Sequence, residues 1–70
     1  MGEMRIIGTK LKLTWREDNA KEVSIAEKAF KEYVEKGWLA IGEKSGKKTQ
    51  IFTFDQNLEM IVLSPIIVGG

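Results

Sequence analysis

The 70-residue chain contains no cysteine, and this absence constrains its fold more than any other feature. With disulfides and zinc–thiolate sites excluded, one hydrophobic core must hold the chain together. A core of this size supplies only about 3–5 kcal/mol of net stability. The length leaves no room for a second core, so we predict a single domain over residues 1–70. The 43% of apolar and 30% of charged residues are typical of such a domain.

The chain also lacks histidine, which narrows its chemistry further. It has no imidazole base to activate a nucleophile, and it lacks the commonest metal ligand in proteins. Carboxylates remain as possible catalytic groups. Between residues 20 and 36, however, they alternate with lysines at spacings that favour ion pairs on a helix, as in Glu27 with Lys31. We therefore predict no catalytic residue, no metal site and no cofactor, and hence a protein that is not an enzyme.

A helical pattern occupies the middle of the chain. Asn19 is a good N-cap with Glu22 three residues later, although Ser24 with Glu27 offers a second start one turn on. Gly37 is suited to end the helix in a left-handed conformation. We predict an amphipathic helix over residues 20–36. Its apolar face consists of Val23, Ala26, Phe30, Tyr33 and Val34.

Two strands are predicted before the helix and three after it. Short apolar or alternating segments at residues 4–7, 11–16, 38–41, 49–54 and 58–63 indicate them. A polar turn is expected at residues 42–48, and Pro65 ends the last strand. That strand is apolar on nearly both faces, so we expect it at the centre of the sheet. The order predicts an α+β fold, with a single helix packed on a four- to five-stranded mixed sheet.

The C-terminal segment is the most unusual part of the sequence. Small domains usually end in polar, frayed residues, whereas this chain is apolar up to Val68 and ends in Gly69-Gly70. A diglycine end has no side chains and can thread a narrow channel. We expect a flexible tail over about residues 65–70 that is activated at Gly69 and Gly70. The residues expected to bind a partner protein are Pro65, Ile66, Ile67, Val68 and Trp38.

Residues 60–70, Met-Ile-Val-Leu-Ser-Pro-Ile-Ile-Val-Gly-Gly, resemble the end of the small sulfur-carrier proteins MoaD and ThiS. Those chains belong to the ubiquitin-like β-grasp superfamily, and their tails run from a central strand through a proline-containing apolar segment to a terminal Gly-Gly. Pro65 stands in the position of such a proline, and Glu59 stands where those chains often carry an acid. The predicted order of hairpin, helix and strands is also similar to a β-grasp.

The resemblance implies that the chain is a carrier or modifier without catalytic groups of its own. A partner enzyme similar to the ubiquitin-activating enzymes would adenylate the Gly70 carboxylate with ATP. The acyl-adenylate would then become a thiocarboxylate for sulfur transfer, or an isopeptide bond to a target lysine.

The tail also has a purely structural interpretation. Residues 66–68 could continue the edge of the sheet, with Gly69-Gly70 a neutral end. The chain would then be a small structural or interaction protein, such as a viral or phage accessory or assembly protein. The open sheet face and the apolar tail would form its interface, with the oligomeric state undetermined.

The exposed apolar groups that such an interface needs can be named from the sequence. Ile51, Ile61 and Leu63 would form an apolar patch if they fall on the sheet face opposite the helix. Trp15 and Trp38 both lie at the ends of predicted elements, so one of them could be partly exposed as a protein-binding anchor.

Charge and hydropathy bear on the remaining classes of partner. Lys44, Lys47 and Lys48 could contact phosphate, but they fit a solvated hairpin tip better, and a net charge of +1 argues against nucleic acid. No segment approaches the roughly 20 apolar residues that span a bilayer, and the N-terminus lacks an apolar signal core. We therefore predict a cytoplasmic protein without membrane contact.

Overall fold

Residues 1–65, which the computed structural model describes, form five strands and one helix. The α+β class, with a single helix on a five-stranded mixed sheet, is confirmed. The elements in chain order are β1 (Gly2–Ile6), β2 (Lys12–Trp15), α1 (Ala20–Glu35), β3 (Leu39–Lys44), β4 (Lys47–Gln50) and β5 (Met60–Ser64).

The strands are arranged in the order β2-β1-β5-β3-β4. The last strand, β5, is therefore the central one, as its two-sided apolar character predicts. It runs parallel to β1 and antiparallel to β3. On its buried side, Ile61 pairs with Met4 and Leu63 pairs with Ile6, so two neighbouring strands contribute matching apolar side chains to the same face.

Both ends of α1 follow from local sequence. The Asn19 side chain accepts a hydrogen bond from the Glu22 backbone N–H at 3.1 Å, so the helix begins at Ala20, as predicted, rather than after Ser24. At the other end, Gly37 has φ +89°, and the Trp38 backbone N–H donates to the Tyr33 carbonyl at 3.0 Å. This arrangement satisfies carbonyls of the last turn and directs the chain into β3.

The core lies between α1 and one face of the sheet. Trp15 is fully buried, and its Nε1–H donates a hydrogen bond to the Gln56 carbonyl at 3.0 Å. Trp15 is therefore a core residue rather than an exposed anchor. Together with Trp15, the buried apolar residues are Met4, Ile6, Ala26, Phe30, Ala40, Ile61 and Leu63.

The hairpin formed by β3 and β4 differs from the predicted one. A two-residue turn at Ser45 and Gly46, both with positive φ, lets the strands continue through the segment expected to be a longer loop. The fourth strand therefore covers Lys47–Gln50 instead of residues 49–54. The alternation of residue types predicts a strand that begins at residue 49. The two-residue turn is shorter than the loop expected, so strand pairing already begins at Lys47.

The segment after β4 is a loop, so the strand predicted over residues 49–54 does not continue beyond Gln50. Phe52 is 74% exposed. Phe54 turns inward, where its ring centroid lies 5.2 Å from that of Trp15 and 6.0 Å from that of Phe30. Packing of Phe54 against these two buried rings holds the middle of this segment to the core.

The expected apolar patch of Ile51, Ile61 and Leu63 on the open face is also wrong. Ile61 and Leu63 are fully buried beneath the helix, and Ile51 is partly buried and packs against the same core. Since successive side chains of a strand alternate between faces, Met60 and Val62 of β5 lie on the open face instead.

Candidate functional site

The C-terminal end of β5 is the point at which the chain leaves the sheet towards Gly70. Here Ser64 pairs with Leu39 of β3, and the Leu63 carbonyl accepts a hydrogen bond from the Ile7 N–H at 2.8 Å. The end of β5 is thus held from both sides. Pro65 follows, exposed, and is the last residue that the structure describes. We refer to Ile7, Leu11, Trp38, Leu39 and Pro65 as the exit end.

Trp38 lies at this end, between α1 and β3. Its ring packs edge-on against that of Tyr33, with the centroids 4.8 Å apart, and the side chain stays partly exposed. Trp38 directly precedes Leu39, and Pro65 directly follows Ser64, the two residues that form the last pair of β3 and β5. Two of the residues expected to bind a partner therefore adjoin the same strand pair, although they are far apart in the sequence.

The other predicted site residues belong to the last five positions of the chain. Ile66, Ile67 and Val68, expected to bind a partner, and Gly69 and Gly70, expected to be activated, lie outside the described residues. The same holds for nearly all of the tail predicted to be flexible. These assignments remain predictions.

Two exposed apolar side chains of the exit end were not singled out from the sequence. Ile7 is 49% exposed and Leu11 is 59% exposed, on either side of the turn that joins β1 to β2. The Thr9 hydroxyl donates to the Ile6 carbonyl at 2.9 Å and accepts from the Leu11 N–H at 3.1 Å. These bonds hold the turn in place, so the two apolar side chains are presented beside the end of β5. The sequence indicates the exposure of these two residues only through their position on either side of the turn Gly8-Thr9-Lys10.

The open face of the sheet is the second uncovered surface. Its apolar centre consists of Ile41, Met60 and Val62, all partly buried. The strand register places Val62 between Ile41 of β3 and Arg5 of β1. This group takes the place of the patch expected from Ile51, Ile61 and Leu63, because the register turns the other side of β5 towards solvent.

Charged groups flank that apolar centre on the β1 side. The Glu3 carboxylate accepts hydrogen bonds from the Lys12 ammonium at 2.9 Å and from Arg5 Nε at 2.8 Å. The hydrogen bond from Lys12, followed by that from Arg5, outweighs partial desolvation and holds the pKa of Glu3 below its ordinary value. The Glu3 carboxyl therefore loses its proton more readily than an isolated glutamate does.

Within residues 1–65, no group of three or more His, Cys, Asp or Glu side chains is placed to hold a metal ion. Over the same range, every fully buried side chain is apolar. Helix α1 is not long and apolar enough to cross a membrane.

Comparisons with known proteins place the chain in no family. No protein-family model matches it, and neither the curated proteins nor the solved structures contain a match.

Proposed function

We propose that this chain is a small, non-catalytic carrier or modifier of the ubiquitin-like type, whose Gly70 carboxylate is activated by a partner enzyme. The observation that carries the proposal is the position of β5. It is the central strand, it is held on both sides up to Ser64, and the sequence then continues from exposed Pro65 through Ile-Ile-Val to Gly-Gly. A C-terminus that starts from such a strand has a rigid base for presentation to an enzyme.

The arrangement of the elements supports the β-grasp part of the proposal. A hairpin, one helix and three further strands follow each other along the chain, and β1 and β5 lie side by side and parallel. The parallel pair brings the turn after β1 next to the end of β5. Ile7, whose N–H donates to the Leu63 carbonyl, lies beside the end of β5, and Leu11 lies one strand further out, bonded to Ile6. Both offer apolar contacts to an enzyme that receives the tail.

The chemistry proposed for the tail takes place in the partner enzyme. A carboxylate oxygen of Gly70 attacks the α-phosphorus of ATP, and pyrophosphate leaves. Hydrosulfide that displaces AMP gives a thiocarboxylate with no change of oxidation state, whereas the amine of a target lysine displaces AMP, loses a proton and gives an isopeptide bond. This chain supplies the carboxylate and the docking surface, and the partner supplies the nucleotide site.

Intact-mass measurement tests the proposal. The full chain and a variant lacking Gly70 are incubated in lysate of the native host with ATP and then captured. We expect the full chain alone to gain the mass of an oxygen-to-sulfur exchange or of a covalently attached target. Identical, unmodified masses for both versions would overturn the proposal.

A pair of surface variants tests the docking role of the exit end. We expect Ile7→Ser with Leu11→Ser to slow the modification at least about tenfold, because docking would remove both apolar side chains from water and the serines would lose that gain. Ile25→Ser is the matched control, since Ile25 is comparably exposed, at 53%, on α1. Equal rates for the double variant and the control would exclude a docking role for these two residues.

The open sheet face favours a second candidate function, that of an assembly or interaction protein. Ile41, Met60 and Val62 form an uncovered apolar centre, which is the kind of surface that marks interaction sites. This function predicts a molar mass that rises with concentration in sedimentation experiments, and Ile41→Lys should abolish the rise. A monomer mass at every concentration would exclude self-assembly through this face.

A further inference from the structure

Strand β4 lies at the edge of the sheet, and within residues 1–65 no strand pairs with its outer side. The Ile51 N–H donates to the Ala40 carbonyl at 2.9 Å, so residues 40 and 51 form a hydrogen-bonded pair. In an antiparallel ladder, hydrogen-bonded residue pairs alternate with non-bonded pairs. Gly42 and Thr49 therefore also form a bonded pair, whereas the N–H and C=O groups of Lys48 and Gln50 point away from β3. Two N–H donors and two carbonyl acceptors thus face outward along this edge.

Three lysines surround the same edge. Lys44, Lys47 and Lys48 are exposed, and none of the carboxylates in residues 1–65 lies within ion-pairing distance of them. Glu43 belongs to the next strand inward, and Glu59 accepts a hydrogen bond from the Ser45 N–H at 2.9 Å. The outermost charges of the edge are therefore positive.

A shallow apolar depression lies beside these lysines on the helix side of the sheet. It has a volume of about 360 Å³, and Gly42, Ile51 and Leu58 form its apolar part. Leu58 packs directly over Gly42, where an added Cβ would lie 2.7 Å from Leu58 Cδ1. Lys44, Lys47 and Thr49 border the depression. A small apolar side chain of an added strand would fit here.

From these features we infer that β4 binds an extended acidic segment of a partner protein as a sixth strand. The outward groups of Lys48 and Gln50 supply the backbone hydrogen bonds, the depression takes an apolar side chain, and the lysines pair with carboxylates of the segment. Selectivity comes from charge complementarity across the edge.

The charge distribution favours this occupant over a second copy of the chain. Pairing β4 with β4 of another copy would bring the lysines of both strands close together, and like charges on neighbouring strands destabilise pairing. An acidic segment removes this repulsion.

This edge is separate from the exit end. The turn at Ser45 and Gly46 lies near the beginning of β5, where Glu43 pairs with Met60, whereas the tail starts beyond Ser64. Binding at β4 should therefore be unchanged when Gly70 is removed. Failure of this inference and failure of the proposed carrier function are thus distinguishable.

Fluorescence anisotropy with a defined probe tests the inference. The probe is a dye-labelled peptide of alternating Val and Asp with blocked ends, and its counterpart carries Lys in place of Asp. We expect the acidic peptide alone to bind. Lys47→Glu with Lys48→Glu should weaken binding by roughly tenfold or more. The matched control is Lys21→Glu with Lys28→Glu, two exposed lysines of α1, which should change affinity less than about twofold.

Two further measurements separate strand addition from simple charge attraction. Bound peptide should slow amide exchange at Lys48 and Gln50, and methylation of alternate peptide nitrogens should abolish binding. Gln50→Pro removes an outward N–H while leaving the bonded pairs on either side. If that variant does not fold, the methylated peptide still tests the same contact.

Several results would overturn the inference. One is equal loss of binding in the β4 and α1 double variants, and another is binding of the methylated peptide as tight as that of its parent. A short oligonucleotide that binds more tightly than the peptide, without changing exchange at Lys48 and Gln50, would show a general anion surface instead. Dimerisation abolished by the Lys47 and Lys48 variants would show a second copy to be the occupant.

Discussion

Gly2 lies directly opposite Trp15 in the pairing of β1 with β2, and the indole ring occupies the space that a Cβ at residue 2 would need. The largest buried side chain of the core therefore depends on the smallest residue of the neighbouring strand. Trp15 in turn holds the loop after β4, through its hydrogen bond to the Gln56 carbonyl and its contact with Phe54.

Replacing Gly2 by alanine should destabilise the fold. The added methyl group collides with the Trp15 ring, and overpacking of this kind costs about 1–3 kcal/mol. Urea unfolding followed by tryptophan fluorescence measures the effect. Thr14→Ala, at an exposed position of β2, serves as the control and should change stability little. An unchanged midpoint for Gly2→Ala would show that the ring moves aside at no cost.

The two phenylalanines of the loop after β4 should respond very differently to substitution. Phe54→Ala removes packing against Trp15 and Phe30 and should cost about 2 kcal/mol or more. Phe52→Ala should fall within about 0.5 kcal/mol of the parent because Phe52 is 74% exposed. Thermal unfolding of the two variants side by side is the measurement. Similar losses for both would contradict the loop that the structure shows after Gln50.

The start of α1 depends on the side chain of Asn19. Asn19→Ala removes the acceptor for the Glu22 N–H and should cost about 1 kcal/mol. Ser24→Ala is the control, since Ser24 is exposed on the helix and is the cap of the competing start. Urea midpoints measure both variants. A larger loss for Ser24→Ala than for Asn19→Ala would mean that the helix begins one turn later in solution.

Acid should weaken the charged cluster around Glu3. Because the pKa of Glu3 is lower in the folded chain, its contribution to stability is present above the unfolded-state pKa and is lost as the pH falls through the folded-state pKa. The difference in urea midpoint between the parent and Glu3→Gln should therefore shrink towards acid pH, and it should also shrink in high salt.

A carboxyl titration by NMR checks the direction of that shift at the residue itself. Glu27→Gln, on the exposed side of α1, is the control for a general effect of losing one negative charge. A difference in midpoint that stays constant from neutral to acid pH would contradict a specific role of the Glu3 cluster.

Features determined within a few neighbouring residues could be predicted from the sequence. The bounds of α1 follow from Asn19 and Gly37, and its core-facing side follows from a three- to four-residue spacing that includes Ala26 and Phe30. The central place of β5 follows from apolar residues on both of its sides. For the candidate site, the sequence named Trp38 and Pro65 as binding residues, but no local pattern shows that they adjoin the same pair of residues, Leu39 and Ser64.

The fold class, the helix and the identity of the central strand could be predicted from local patterns, because periodicity, capping and hydrophobicity act over short stretches of chain. The side of β5 that faces the helix, the bounds of β4 and the residues around the exit end could not. These depend on strand register and on packing between distant residues, such as Trp15 with Phe54 or Leu39 with Ser64. A shift of one residue in register exchanges the two faces of a strand, and only the assembled core distinguishes between them.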